Sequence, residues 1–302
     1  MNSRIVLGQN QYGKAEVRVV KITRDTQRHE IEDLNVTSQL RGDFAAAHLE
    51  GDNSHVVATD TQKNTIYAFA REGIGSPEAF LLRLEDHFTS SFDWVTGGRW
   101  EAESYRWDRI QAHGEPHDHS FVRNGQEVRT AALVRDGAER HLLSGLKDLT
   151  VLKSTQSGFA GYPRDRYTTL PETTDRILAT EVSARWRHRT GTDFGSVDFN
   201  KSYEDVKALL LEGFTEKYSH ALQQTLFDMG AKVLEAHAGI DEIRFSMPNK
   251  HHFLVDLSPF GLDNPNEVFY AADRPYGLIE ATVQRDDTAP ADAAWSGIAG
   301  FC

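Results

Sequence analysis

The feature that most constrains this chain is a pattern that occurs twice. Two alternating strand-like runs, two amphipathic helical runs and two further strand-like runs fill each half of the 302 residues. In the first half Ala15, Val17 and Val19 alternate with Lys14, Glu16 and Arg18, which predicts a strand over about 13–24. Leu34 and Val36 belong to a second strand over about 29–41. Helices are expected over about 60–72, with Ile66, Phe69 and Ala70 on one face, and about 77–90, with Phe80, Leu81, Leu84 and Phe88 inside. Ser76 is the natural cap of the second helix, and Pro77 suits its first position. Strand-like runs over about 92–109 and 119–135 flank a His-rich loop.

The second half reads the same way. Strands are expected over about 140–152 and 175–189, the latter with Leu178, Val182, Ala184 and Trp186 on one face. Helices over about 203–216 and 219–236 carry Val206, Leu209, Leu210 and Phe214, then Leu222, Leu226, Met229 and Val233. Strands over about 241–257 and 266–284 follow. This is an α+β pattern of two tandem units, 1–138 and 139–302, divided near the Asp136-Gly137 turn. Each unit is an antiparallel sheet with a helix pair on one face. Its other face and its edges need cover, which a closed ring of subunits supplies.

Charge and composition narrow the partners. A net charge of −12 disfavours nucleic acid and anionic membranes. No apolar run approaches the roughly 20 residues of a membrane span. The start, MNSRIVLGQNQYGK, lacks the apolar core of a signal peptide, and the end reads GFC rather than the peroxisomal SKL. The single cysteine, Cys302, cannot form an internal disulfide or a cysteine-based metal site. A cytoplasmic location is the expectation.

Several short segments carry chemistry. In LKSTQSGFAGYPRDRYTTLPETTDR (residues 152–176), Phe159 offers a ring and Arg176 a fork, which suits a flat, electron-rich heterocycle. Lys14, in GQNQYGKAEVR, reads by itself as a solvated lysine on a strand. Thr59 and Asp60, in VATDTQKNT, read as a helix start, with Thr59 as N-cap and Asp60 favoured by the helix dipole. The Gln223 amide, in ALQQTLFDM, can donate and accept together, and Gln224 beside it leaves two registers. In SMPNKHHF, Asn249 and His251 fall in phase with the apolar row Ile243, Phe245 and Met247. His113, His117 and His119, with Glu115 and Asp118 nearby, have a spacing compatible with zinc or copper and equally with a solvated loop.

The 152–176 segment resembles the urate oxidase (uricase) signature, K-S-T-x-S-x-F-x-x-[FY]-x4-Y-x2-L-x5-R. Similar family patterns recur in Y-G-K-x-x-V-R around Lys14, V-x-T-D-[ST]-x-K-N-T around Thr59 and P-N-K-H-[HY]-F around His251. The likeness runs from Tyr12 to Gln284. It implies the tunnelling fold: two such units per chain, joined into a β-barrel tunnel in a homotetramer with active sites between subunits. It implies oxidation of urate by dioxygen and water to 5-hydroxyisourate and hydrogen peroxide, without cofactor or metal. Lys14, Thr59 and His251 are then the proton-relay residues. Thr59, Asp60, Phe159, Arg176, Leu222, Gln223 and Asn249 meet the substrate. Phe159 stacks on the purine, Arg176 and Gln223 grip its edges, and Asn249 with Thr59 holds dioxygen and then water. Uricases carry a similar H-x-H-S-F stretch without using a metal there. A pterin-converting enzyme on the same fold and a non-catalytic purine binder are the competing readings.

Overall fold

The computed structural model describes residues 3–298, 300 and 301. The chain forms two compact units. The first holds the chain up to Gly145 with Arg187–Asn200 and Pro290–Gly297; the second holds Leu146–Trp186, Lys201–Ala289 and the chain from Ile298.

In the first unit β1 (Tyr12–Thr23) and β2 (Glu30–Gly42) pair antiparallel, with Val17 opposite Val36 and Val19 opposite Leu34. A short helix α1 (Ala45–Leu49) precedes α2 (Thr59–Glu72) and α3 (Pro77–Ser91). Ser76 caps α3, its hydroxyl accepting from the Ala79 N–H at 3.1 Å, and Pro77 occupies the first turn, where a missing N–H leaves nothing unbonded. β3 (Val95–Ser104) pairs with β2 on one side and with a later strand on the other.

Here the structure departs from the expected pair of long strands around a loop. β4 (Trp107–Ala112) and β5 (Glu115–Arg123) form a separate hairpin, so the His-rich segment is itself mostly strand. Its two-residue turn is His113-Gly114, at φ 56° and 86°. Positive φ at both turn positions matches the right-handed twist of the flanking strands. β6 (Val128–Asp136) then returns beside β3, and β7 (Glu139–Lys153) follows.

The helices cover one sheet face. Leu34, Val36 and Leu40 of β2 pack with Ile66 and Ala70 of α2 and with Phe80, Leu81, Leu84 and Phe88 of α3. Each fully buried aliphatic or aromatic side chain of this kind stabilises by about 1.5–3 kcal/mol relative to exposure.

The second unit repeats the plan with β8 (Leu178–His188), α4 (Phe199–Glu216), α5 (Leu222–Ala236), β9 (Ile240–Leu254) and β10 (Phe269–Gln284). Its strand order is β7-β8-β9-β10, ending on an antiparallel β9–β10 pair. Val182, Ala184 and Trp186 pack with Val206, Leu210, Phe214, Leu226, Met229 and Val233, then with Ile243, Phe245 and Met247. α5 starts three residues later than its periodicity suggests, because Ser219 is held in a bridge to Ser157. Near the C-terminus Asp292–Trp295 form α6, with Ala294 and Trp295 buried in the first unit. Cys302 lies outside the described residues. No helix of the described residues is long and apolar enough to cross a membrane.

Candidate active site

The predicted residues fall into two groups, one in each unit. Lys14, Thr59 and Asp60 lie in the first; Phe159, Arg176, Leu222, Gln223, Asn249 and His251 lie in the second.

In the first group a β-bulge decides where Lys14 points. β1 and β2 are in register at Lys14–Ser38 and again at Val17–Val36, so Ala15 and Glu16 together oppose Thr37. Simple alternation puts Lys14 on the face opposite Val17. The extra residue reverses that, because Ser38 and Val36 share the buried face of β2. The same bulge leaves Ala15 exposed, although the alternation alone predicts it inward. Glu16 carries the bulge at φ 55°, and its N–H donates to the Thr37 hydroxyl at 3.0 Å instead of joining the ladder. Gly13 lies so close to β2 that a Cβ there would sit 1.8 Å from the Ser38 carbonyl oxygen.

The half-buried Lys14 therefore shares the helix-covered face with the start of α2. Its opposite residue, Ser38, is fully buried and donates to the Gln62 side-chain oxygen at 3.1 Å. The cap of α2 is Ala58, without a side-chain bond, so Thr59 is the first helical residue rather than the N-cap the sequence suggests. Its hydroxyl is thereby left for other use. Asp60 is exposed, and both its carboxylate oxygens are engaged one turn along the helix, by Lys63 Nζ and by Asn64 Nδ2, the latter at 3.0 Å. The Lys63 hydrogen bond, then the charges of Lys63 and Lys14, hold its carboxyl below the usual range. With those oxygens turned away, the first-turn backbone N–H groups remain to meet an anion.

In the second group three chain segments lie side by side. Gln156–Phe159 is the middle one. On one edge Ser219 N–H donates to the Gln156 carbonyl, and Gly158 N–H donates to the Ser219 carbonyl, each at 2.9 Å. On the other, Phe159 and Thr173 exchange backbone bonds of 2.7 and 3.0 Å, and Arg176 N–H donates to the Ser157 carbonyl at 2.9 Å. Lys153 anchors the approach: its ammonium caps α4 by donating to the Phe214 and Lys217 carbonyls at 3.3 and 2.9 Å.

This arrangement places the Arg176 guanidinium carbon 5.2 Å from the Phe159 ring centroid. Phe159 stacks on Tyr162 with centroids 4.8 Å apart and planes 16° apart. Arg176 donates from Nε to the buried Ser157 hydroxyl at 3.4 Å. Burial lowers its pKa and the nearby Tyr218 opposes that; a guanidinium stays charged either way. The bridge to Ser219 brings the start of α5 alongside. There Leu222 is buried, Gln223 is exposed, and Gln224 accepts from the His220 N–H at 3.1 Å. Gln224 thus closes the start of its own helix, and Gln223 is the amide presented outward.

Asn249 and His251 continue the inward row of β9 beyond Met247. His251 pairs with Ala272 and Asn249 with Gly277, so Asp273–Tyr276 bulge out of β10 opposite Lys250. Burial lowers the His251 pKa first, then the positive charge of Arg176, then His252. The histidine is thus close enough to the guanidinium to feel it, and both effects favour its uncharged form.

His117 and His119 pack edge to face at 4.5 Å, but no group of three or more His, Cys, Asp or Glu among the described residues is placed to hold a metal ion.

The second group thus brings together a half-buried guanidinium, a stacked ring and a histidine that feels the guanidinium's charge. A family model described as uricase matches residues 10–134 and 142–280. The chain belongs to the uricase family. It is 65% identical over 300 residues to the uricase of Arthrobacter globiformis, covering 99% of this chain and 97% of that one. The crystal structure of that uricase superposes with a TM-score of 0.91 at 65% identity, over 97% of this chain and 100% of the other. The uricase of Schizosaccharomyces pombe is 36% identical over 295 residues, 94% of this chain and 100% of that one. A urate oxidase from Bacillus sp. TB-90 shares the fold with a TM-score of 0.78 at 23% identity, over 91% of this chain and 100% of that one. Uricases are oxidoreductases, and this chain is one; its two-unit α+β architecture is theirs.

Beyond the residues legible in the sequence, the structure puts Ser157 under Arg176 and Tyr218 near it in the second group, and Lys63 and Asn64 on Asp60 in the first. Ser157 stands in the signature segment, and Lys63 and Asn64 stand in the T-D-x-x-K-N pattern, so the sequence marked their positions. Tyr218 carried no signal, since it lies in the short connection between two helices.

Proposed function

We propose that the protein is a urate oxidase that converts urate, dioxygen and water to 5-hydroxyisourate and hydrogen peroxide. The electrons balance without another redox partner: urate gives up two and dioxygen becomes peroxide, while water supplies the new hydroxyl. The observation that carries this reading is the grouping of Arg176 with the Phe159 ring and with His251, which feels the guanidinium's charge. Arg176 and the outward amide of Gln223 fix the polar edges of the urate anion, and Leu222 closes the floor beside them. Phe159 supports the ring from one side. Holding the ring in one pose supplies much of the rate.

Urate reacts with dioxygen once it is deprotonated further. Lys14, Thr59 and His251 remove and shuttle that proton, and Asn249 with Thr59 seats dioxygen and afterwards water. The first-turn N–H groups at Thr59 and Asp60 meet the purine. The two groups of residues serve one reaction when Phe159 and Arg176 of one subunit face Lys14 and Thr59 of another. Pairs of subunits joined this way close the sheets into the tunnel of a homotetramer, and the assembly, not the lone chain, is the active form. No metal or organic cofactor enters the scheme.

The test is direct. Mixing the protein with urate should bleach the urate absorbance band and release peroxide, with chelators present or absent. Lys14→Met should lose nearly all turnover and still bind xanthine, which shares the pyrimidine-dione edge. Full activity in that variant, or loss of activity on chelation, refutes the scheme.

A further inference from the structure

Tyr218 lies in the connection between α4 and α5, and its hydroxyl donates to the Thr174 carbonyl at 2.6 Å. Those two residues sit on the outer members of the three side-by-side segments. The phenol therefore crosses the middle segment, and it does so at Gly158. A Cβ on Gly158 would lie 2.3 Å from the Tyr218 oxygen, 2.9 Å from the Thr173 carbonyl oxygen and 3.2 Å from the Thr174 Cα. Gly158 has an ordinary negative φ, so glycine is required there for space and not for backbone conformation.

The crossing ends beside Arg176. That residue depends on few direct ties: its side chain reaches Ser157 only through a long 3.4 Å bond from Nε. A bidentate grip needs the fork held at a fixed angle to its ligand. The path of residues 173–176 sets that angle, and the Tyr218 bond holds that path to the segment bearing Phe159 and to the start of α5 bearing Gln223.

We infer that Tyr218 is a positioning residue for the substrate clamp, strapping the Arg176, Phe159 and Gln223 segments together across Gly158. The inference rests on the reading of this clamp as the urate site. Tyr218 touches no reacting atom; it acts through the aim of Arg176.

The test uses the full chain as parent, Tyr218→Phe, Gly158→Ala and the double variant. It reads KM and kcat for urate, Kd for xanthine, and melting temperature. Tyr218→Phe should raise KM and the xanthine Kd about five- to tenfold, the loss of roughly one hydrogen bond. Its kcat should stay within about twofold, since the proton-handling residues lie elsewhere. Gly158→Ala should raise both at least as much in the parent. In the Tyr218→Phe background the same change should cost less than about half as much, because one of its two closest contacts is gone. Parental KM and Kd in Tyr218→Phe, with or without a change in melting temperature, overturn the inference; so does full additivity of the two substitutions. A parent that neither oxidises nor binds urate overturns the site reading itself, and that result is visible before any variant is compared.

Discussion

Gly13→Ala tests whether the aim of Lys14 depends on the close approach of β1 to β2. The new methyl carbon would lie 1.8 Å from the Ser38 carbonyl oxygen and 2.7 Å from the Gln39 Cα. Both are backbone atoms in the middle of a sheet and cannot rotate away. Ordinary contact is near 3.5 Å, so β1 must retreat by about 1.5 Å or unpair locally. Unpairing gives up two ladder bonds and the bond from the Tyr12 hydroxyl to the Val57 carbonyl. At about 1 kcal/mol each the loss is about 3 kcal/mol. A domain of this size loses about 2–4 °C of melting temperature per kcal/mol, so the drop should be about 6–12 °C. Lys14 is the next residue, and displacing a reacting group by an ångström costs about a hundredfold in rate. Melting temperature and kcat for urate measure both effects. Gly8→Ala is the control, because a Cβ there meets nothing within 4 Å. A Gly13→Ala protein that melts within about 2 °C of the parent and retains half its kcat refutes the argument.

Two further outcomes follow from the electrostatics. Lys63→Met frees the Asp60 carboxylate at the mouth of α2, so KM for the urate anion should rise several-fold and fall again as salt is added; adding Asp60→Asn should restore KM, and failure to do so would mean that Lys63 itself contacts the substrate. His251 has a folded-state pKa below its unfolded value, so the unfolded chain takes up the proton first as pH falls. Its contribution to stability is therefore neutral above the unfolded pKa of about 6.5 and unfavourable progressively below it. His251→Gln should accordingly lose less stability than the parent between pH 7.5 and 5.5 in denaturant titrations; an equal or larger loss contradicts the shift.

Much of the fold was legible because apolar periodicity survives in single residues. Phe80, Leu81, Leu84 and Phe88 announced α3 together with its Ser76-Pro77 start, and Ile243, Phe245 and Met247 announced the inward row that carries Asn249 and His251. Where the reading went astray, a local rule was overridden. Thr59 is a better cap than Ala58 by type, yet the helix begins one residue earlier than that preference requires. The His113-Gly114 turn hid a hairpin because it lacks the Asn-Gly or Asp-Gly pair that most strongly marks a two-residue turn. The bulge at Ala15-Glu16 left no mark in the pattern, since YGKAEVRVV alternates cleanly as written. Its existence follows from pairing with β2, which a single strand does not record. The signature segment was legible as a set of letters, but not as three segments bound edge to edge, because those bonds are between backbone atoms.

The stacked pair Phe159–Tyr162 has a consequence for how a ligand is received. Tyr162 already covers one face of the Phe159 ring, so under the proposed function a purine would stack on the other, beside the Arg176 guanidinium. The ring is also already braced: the Tyr162 hydroxyl donates to the Leu170 carbonyl at 2.6 Å, and the Phe159 backbone is bonded to Thr173. Binding therefore freezes no torsions on this side, and the side-chain ordering cost of about 0.5–1.5 kcal/mol per immobilised residue is met at folding instead of at encounter. A heterocycle stacking there would give up its own freedom and none of the ring's.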